Sequence, residues 1–173
     1  DAGEAVIGHK ATEIDLDWLG VHATRMNAQL IRTIFQDIAH PHVIKHYEII
    51  RKVEEPVVVA AGWKPGWSTD YDAVVLCQDY GVKEAINLSN IDQVYTKDPK
   101  KFPDAKPITK ISWKEFRKIV GDKFTPGMNA PFDPIAAKLA SEIGVIVKIL
   151  NGKNLETLAK ALDGKAFFGT TIQ

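Results

Sequence analysis

Only one of the 173 residues is a cysteine. No disulfide can therefore form within the chain, and a reducing cytoplasm is the expected setting. Cys77 lies in an apolar run with no reactive-cysteine motif around it and reads as a small buried hydrophobe. Excess charge of either sign is also missing, since Lys plus Arg and Asp plus Glu each number 22. A nucleic-acid-coating surface needs a basic footprint, so that class is excluded, while a local basic pocket for a small anion is not. No apolar stretch approaches the ~20 residues that cross a bilayer, and no signal peptide is visible, so no membrane partner is expected. The Gly-Lys-Ser/Thr triplet of a Walker A loop does not occur. His9, His22, His40, His42 and His46 show no metal-site spacing. His42 and His46 are four apart but lack a third ligand, so the identity of any metal stays open. Repeats and low-complexity tracts are absent as well.

What remains is an ordinary globular composition, 45% apolar and 25% charged, in a length that suits one domain with a sizeable core. From about Leu16 to Ile38, residues Leu19, Ala23, Met26, Leu30, Ile34 and Ile38 recur at helical spacing and predict an apolar face. Asp15 or Asp17 is the expected cap, and Pro41 marks the exit. The run 56–61 (Pro-Val-Val-Val-Ala-Ala) predicts a strand buried on both faces of a parallel sheet. A helix is expected from Thr69 or Asp70 to about Tyr80, a second buried strand over Ala85 to Leu88, and a helix over Pro134 to Ile143. That helix should feed a third strand, Val145 to Leu150. A helix capped by Asn154 runs to Leu162, and 169–172 reads as a short last strand. Prolines 99, 103 and 107, with a crowd of lysines, leave little to bury between Val94 and Ile111, which reads as an exposed hairpin lobe. Strands alternating with helices predict right-handed crossovers and a mainly parallel sheet in an α/β/α sandwich of three layers. The chain begins at Asp1, and Ala2 to Ala5 read as the tail of a helix already under way.

In open α/β sheets, ligands collect where strands end, at their carboxyl termini. The loop Gly62-Trp63-Lys64-Pro65-Gly66-Trp67-Ser68-Thr69-Asp70 has two glycines for close backbone approach, two hydroxyls, and a helix N-terminus after it. It is either a ligand cradle with aromatics to meet a base or an ordinary turn capped by Thr69 or Asp70. In the segment 88–99, Tyr95 could stack on a purine, while Ser89, Asn90 and Asp98 could hydrogen-bond a ribose or base edge. The plainer reading gives Asn90 and Asp92 to Asx turns and Asp98-Pro99 to a turn start. Around Gly127-Met128-Asn129-Ala130-Pro131-Phe132-Asp133-Pro134, Asp133 reads first as an N-cap with Pro134 at the first helical position. In the stretch from Asp17 to Asn27, Asp17 could accept from a sugar diol and Arg25 could reach a phosphate, or both could be solvated helix residues.

Taken in order, these segments read Asp-x-x-Gly-x-x-Ala-Thr-x-x-Asn, Ala-Gly-x-x-x-Gly-x-Ser-Thr-Asp, Asn-x-Ser-Asn-Ile-Asp-x-Val-Tyr-Thr-x-Asp-Pro and Phe-Asp-Pro-x-Ala-Ala-Lys. That series resembles the amino-acid-kinase superfamily, and within it the uridylate kinases of the archaeal type. The resemblance implies transfer of the γ-phosphate of ATP to UMP, giving UDP, with ATP and Mg²⁺ as cofactors. It implies that Asp17 holds the UMP ribose and that Trp63, Lys64, Pro65, Gly66, Trp67, Ser68 and Thr69 wrap its uracil and phosphate. It gives Ser89, Asn90, Tyr95 and Asp98 to the adenosine of ATP, and it has Asp133 orient catalytic lysines rather than act as a base. It also implies a hexamer built as a trimer of dimers, with the long helix from Leu16 a candidate contact surface. The family plan opens with a strand, a Gly-Gly loop, a phosphate-touching lysine and a second Gly-rich loop, so roughly 50 N-terminal residues are expected to be missing. A chain without them would bind a nucleotide without transferring phosphate; acylglutamate, aspartate, glutamate and carbamate kinases are the alternative relatives. Trp63 and Trp67 stand where smaller or polar residues are usual in the family, and Gln93 where glycine is usual.

Overall fold

The computed structural model describes residues 11–123 and 130–173. The expectations for Asp1 to Ala5, His9 and Gly127-Met128-Asn129 lie outside the described residues. The chain forms two compact units, Asp1–Asp72 and Ala73–Gln173.

The first unit is built on α1 (Glu13–Ile34). Its start is a capping box: Thr12 Oγ1 accepts from the Asp15 N–H, and the Asp15 carboxylate accepts from the Thr12 N–H at 2.9 Å. The two bonds from Thr12, the side-chain one foremost, hold the Asp15 carboxyl below its ordinary range. The cap is therefore Thr12 rather than Asp15 or Asp17, because the reciprocal Thr-x-x-Asp pair satisfies two end N–H groups together. The helix stops at Ile34, before the expected Ile38. Phe35 leaves helical geometry, and Ala39 must turn to bridge Val57.

The inward face also differs from the expected one. Leu19, Met26, Leu30, Ile34 and Ile38 are exposed, while Val21 and Ala28 are buried. Short side chains at these inward positions let the backbone of α1 approach the chain near residue 60 closely. Ala28 packs with Val59 and Ala61, flanked by Val43 and Val57. The run 56–61 is extended but is not the regular two-face-buried strand expected. Among the described residues its only β-bridges are to segment 39–44, the isolated parallel pairs Ala39 with Val57 and Ile44 with Ala60. With no ladder on its other side, Val58 stays exposed.

Helix α2 (Thr69–Tyr80) has the expected bounds. It is closed by Gly81 at φ 66°, a left-handed position that glycine adopts without strain. Cys77 is buried as expected, and burial raises its thiol pKa, which disfavours the reactive thiolate.

The second unit holds a mixed, mainly parallel sheet. Its strands are β1 (Glu84–Ser89), β4 (Lys110–Ile111), β5 (Ile146–Asn151) and β6 (Thr170–Ile172), in the order β1-β5-β6-β4. Strand β1 runs parallel to β5 and β4 parallel to β6, while β5 and β6 are antiparallel. Strand β5 is buried from Val147 to Leu150, as its largely apolar run requires, and Lys148 is buried with it. Strand β1 ends the sheet order among the described residues, so Leu88 is exposed and the expected buried strand is a half-buried one. The hairpin exists, with β2 (Val94–Tyr95) antiparallel to β3 (Pro107–Ile108). Most of it is exposed, Pro107, Thr109 and Lys110 included, but Val94 and Ile111 are buried, and Lys110–Ile111 belongs to the main sheet as β4. The fixing contact is the Thr170 hydroxyl, which accepts from the Val94 N–H at 2.9 Å and donates to the Ile108 carbonyl.

Helix α3 (Trp113–Val120) was not foreseen, although Ser112 and Glu115 form a capping pair and Trp113, Phe116 and Val120 are spaced to share one buried face. Helix α4 (Pro134–Ile143), capped by Asp133, and α5 (Leu155–Leu162), capped by Asn154, lie where the sequence puts them. Fully buried Ala136, Ala137, Ala140, Phe116, Val147, Ile149, Leu150 and Ile172 form the interior of this unit.

Candidate functional site

In the first unit, Asp17 and the tryptophan-bearing loop meet directly. The Gly66 N–H donates to Asp17 Oδ2 at 2.7 Å. Gly66 has φ 81°, a left-handed geometry that turns its N–H toward the helix and that other residues adopt only under strain. The loop is pinned from the helix side at two further points. Thr24 Oγ1 accepts from the Gly62 N–H at 2.9 Å and itself donates to the Val21 carbonyl at 2.7 Å. Arg25 donates from Nε to the Gly62 carbonyl at 3.2 Å and from Nη2 to the Trp63 carbonyl at 2.6 Å. Arg25 is thus a clamp on the loop backbone rather than a solvated helix residue. Gly62 is required here, because a Cβ would sit 2.9 Å from Thr24 Oγ1 and 3.6 Å from the Val21 backbone.

Trp63, 8% exposed, carries the loop's aromatic cluster. Its ring lies 5.8 Å from that of Tyr47 and 4.4 Å, edge-on, from that of Trp67, which in turn meets Tyr71 at 4.6 Å. The Lys64 ammonium sits 3.7 Å from the Trp63 ring centre and 5.2 Å from that of Trp67. Ser68 caps α2: its Oγ accepts from the Tyr71 N–H at 3.1 Å, so the cap lies before both Thr69 and Asp70. Pro65 is half-buried between Lys64 and Gly66, and Thr69 opens the helix.

Two groups beneath the loop, half-buried Tyr47 and buried Asp72, escaped the sequence reading. Tyr47 donates to the Ala61 carbonyl at 2.8 Å, and burial, with the neighbouring Asp72 charge, pushes its phenol pKa upward. Asp72 Oδ2 accepts from the Trp63 N–H at 3.2 Å, while Oδ1 is buried without a hydrogen-bond partner among the described residues. Burial raises its carboxyl pKa to about 6, and the Trp63 N–H offsets only part of that. An acid in the first turn of a helix reads as a surface capping residue, so nothing local marks Asp72 as interior.

In the second unit, β1 and β5 end side by side at Ser89 and Asn151. The Ser89 carbonyl accepts from the Gly152 N–H at 2.9 Å. Asn151 Nδ2 donates to Asp92 Oδ1 at 2.8 Å, and Asn151 Oδ1 accepts from the Lys153 N–H at 3.0 Å. Asn151 therefore joins the loops after both strands, a role visible only once their register is known. Asn90 is exposed and Ser89 and Tyr95 are half-buried. Asp98 shapes a turn, with Oδ1 accepting from the Lys100 N–H at 2.9 Å and its carbonyl from the Phe102 N–H at 2.9 Å. Asp133, 7% exposed, is the N-cap that its Pro134 neighbour suggested. Its Oδ1 accepts from the N–H groups of Ile135 at 2.5 Å and Ala136 at 3.1 Å. Among the described residues, no three His, Cys, Asp or Glu side chains converge as a metal cage, and no helix is long and apolar enough to cross a membrane.

A family profile described as the amino acid kinase family matches residues 3–151. The uridylate kinase of Pyrococcus abyssi is 32% identical over 166 residues, covering 94% of this chain and 73% of that protein. The uridylate kinase of Methanothermobacter thermautotrophicus is 33% identical over 165 residues, with the same coverage of 94% and 73%. The crystal structure of uridylate kinase from Archaeoglobus fulgidus superposes with a TM-score of 0.82 at 29% identity, covering 98% of this chain and 77% of that one. A UMP kinase structure from Bacillus anthracis shares the fold at 19% identity, with a TM-score of 0.72 over 99% of this chain and 72% of that one.

Proposed function

The chain belongs to the amino acid kinase family, and from that premise we propose that it is a uridylate kinase, moving the γ-phosphate of ATP to UMP to form UDP and ADP, with the residue roles that follow. Phosphoryl transfer asks a protein mainly for positioning and charge neutralisation. The observation that carries the acceptor side is the 2.7 Å bond between the Gly66 N–H and Asp17. It joins two motifs that lie 49 residues apart in the chain.

Among the described residues only Asp17 Oδ2 is engaged there, so Oδ1 accepts from a ribose hydroxyl of UMP. Trp63, Pro65, Gly66, Trp67, Ser68 and Thr69 form the wall for uracil and phosphate. The Lys64 ammonium, whose partners are aromatic rings rather than a carboxylate, offers its N–H donors to the acceptor's oxygens. Ser89, Asn90, Tyr95 and Asp98 hold the adenosine of ATP, with the Tyr95 ring against the purine. Asp133 is a positioning residue: its Oδ1 is spent on two backbone N–H groups, which suits orienting catalytic lysines and does not suit proton transfer. Mg²⁺ carried on the ATP phosphates supplies charge neutralisation; such ions are held largely by phosphates and water with one or two carboxylates. A hexamer assembled as a trimer of dimers, a cytoplasmic location and a place in pyrimidine nucleotide synthesis belong to the same proposal.

The test is nucleoside diphosphate formation from ATP and Mg²⁺ with UMP, CMP, AMP and GMP offered separately. UMP is expected to be turned over fastest. Turnover of acetylglutamate, aspartate, glutamate or carbamate, with none of UMP, would move the chain to another branch of the family.

A further inference from the structure

We infer that the second unit carries an anion site of its own, made for a small phosphate-bearing molecule, on the sheet face beneath residues 164–169. A cavity of about 390 Å³ opens there, lined by Thr109, Lys110, Lys148, Lys165, Phe167 and Thr171 with Gly164 and Gly169. That volume suits a small ligand. None of these residues is among those assigned to ATP or UMP.

The site follows from register. Lys110 pairs with Thr171 across β4 and β6, and Lys148 pairs with the same Thr171 across β5 and β6. Directly paired residues share a sheet face, so a hydroxyl is flanked by two lysines in one row. The three ammonium groups are in different states. Lys148, 9% exposed, is committed, donating to Glu84 Oε1 at 2.6 Å and to the Ala161 carbonyl at 2.9 Å. Lys165 meets Asp163 at 2.8 Å in an exposed pair, the kind that contributes little and yields readily to a stronger anion. Lys110 has neither a carboxylate nor a carbonyl partner among the described residues. Three lysines thus face two carboxylates, and the surplus positive charge sits beside the Thr109 and Thr171 hydroxyls.

The roof is built as well. Gly169 lies so close to the sheet that a Cβ there would overlap the Phe167 ring and come within 2.5 Å of the Ile149 carbonyl. Its lack of a side chain lets the 164–169 segment lie down and set Phe167 as an apolar wall, 5.8 Å from the Lys148 ammonium. Donors on one side and a flat ring on the other fit an organic phosphate better than a bare carboxylate. Arrays of N–H and O–H donors match phosphate's several oxygens.

Inorganic pyrophosphate is the probe, titrated into the ¹⁵N-labelled chain while amide shifts are followed. Pyrophosphate also resembles the nucleotide phosphates, so the location of the shifts decides. Saturable shifts are expected at Lys110, Gly164, Lys165, Gly169 and Thr171, with the dissociation constant at those amides rising at least tenfold in Lys110→Met and staying within about threefold in Lys110→Arg. Lys110 is exposed, so both variants are expected to keep the wild-type unfolding midpoint. Shifts confined to residues 63–69 and 89–98, or cavity shifts unchanged in Lys110→Met, would overturn the site.

Discussion

The Asp72 carboxyl sets a pH dependence that can be worked from the structure. Asp72 is 3% exposed, and among the described residues its carboxylate has one hydrogen bond, from the Trp63 N–H to Oδ2, with Oδ1 unpartnered. Two effects oppose each other. The helix N-terminus favours a carboxylate by about 0.3–1 kcal/mol, while burying the charge costs more. Burial wins, lifting the pKa from 3.8 to about 6. A raised acid pKa means the folded state binds more protons than the unfolded state between those values, so stability falls as pH rises through that window. Well below 4 both states are protonated and the cost vanishes. Above about 6 it is complete, at about 3 kcal/mol for roughly 2 units. Asn at this position keeps an acceptor for the Trp63 N–H but never ionises. Denaturant unfolding of wild type and Asp72→Asn at several pH values from 4 to 8 is the assay. Relative to wild type, the variant is expected to gain about 2–3 kcal/mol between pH 4 and 7. A difference between the two proteins that stays constant across that range would refute the reasoning, whatever its absolute size.

Two other substitutions probe the clamps. Arg25→Met removes two charge-assisted bonds to the Gly62 and Trp63 carbonyls. It is expected to cost about 3 kcal/mol in chemical unfolding and to raise KM for UMP more than it lowers kcat, because the acceptor loop loosens. Thr170→Val leaves the Val94 N–H and the Ile108 carbonyl without their shared hydroxyl in a fully buried place. The expected loss is about 2–4 kcal/mol, whereas Thr170→Ser, which keeps both bonds, should lose only about 1 kcal/mol for the methyl. Equal losses in Val and Ser would show that packing, not the hydroxyl, holds the hairpin.

Local chemistry alone determined a good deal of this protein. Asp133 and Asn154 as caps, helix α2, helix α4 between Pro134 and Gly144, and the buried strand β5 are all written in short stretches of sequence, because each depends on residues within a few positions of one another. The four motifs named the family for the same reason. Tertiary structure decided which face of α1 turns inward. Periodicity pointed to the Leu19–Met26–Leu30 stripe, but close approach to the loop near residue 60 selects small and hydrogen-bonding residues, and it is Val21, Thr24, Arg25 and Ala28 that meet that loop. It also made Asp72 an interior acid, tied Asn151 to Asp92, and laid Lys110, Thr171 and Lys148 in one row. Caps and turns report a residue's neighbours along the chain, whereas burial, ion pairing and strand register depend on partners tens of residues away, which no local pattern specifies.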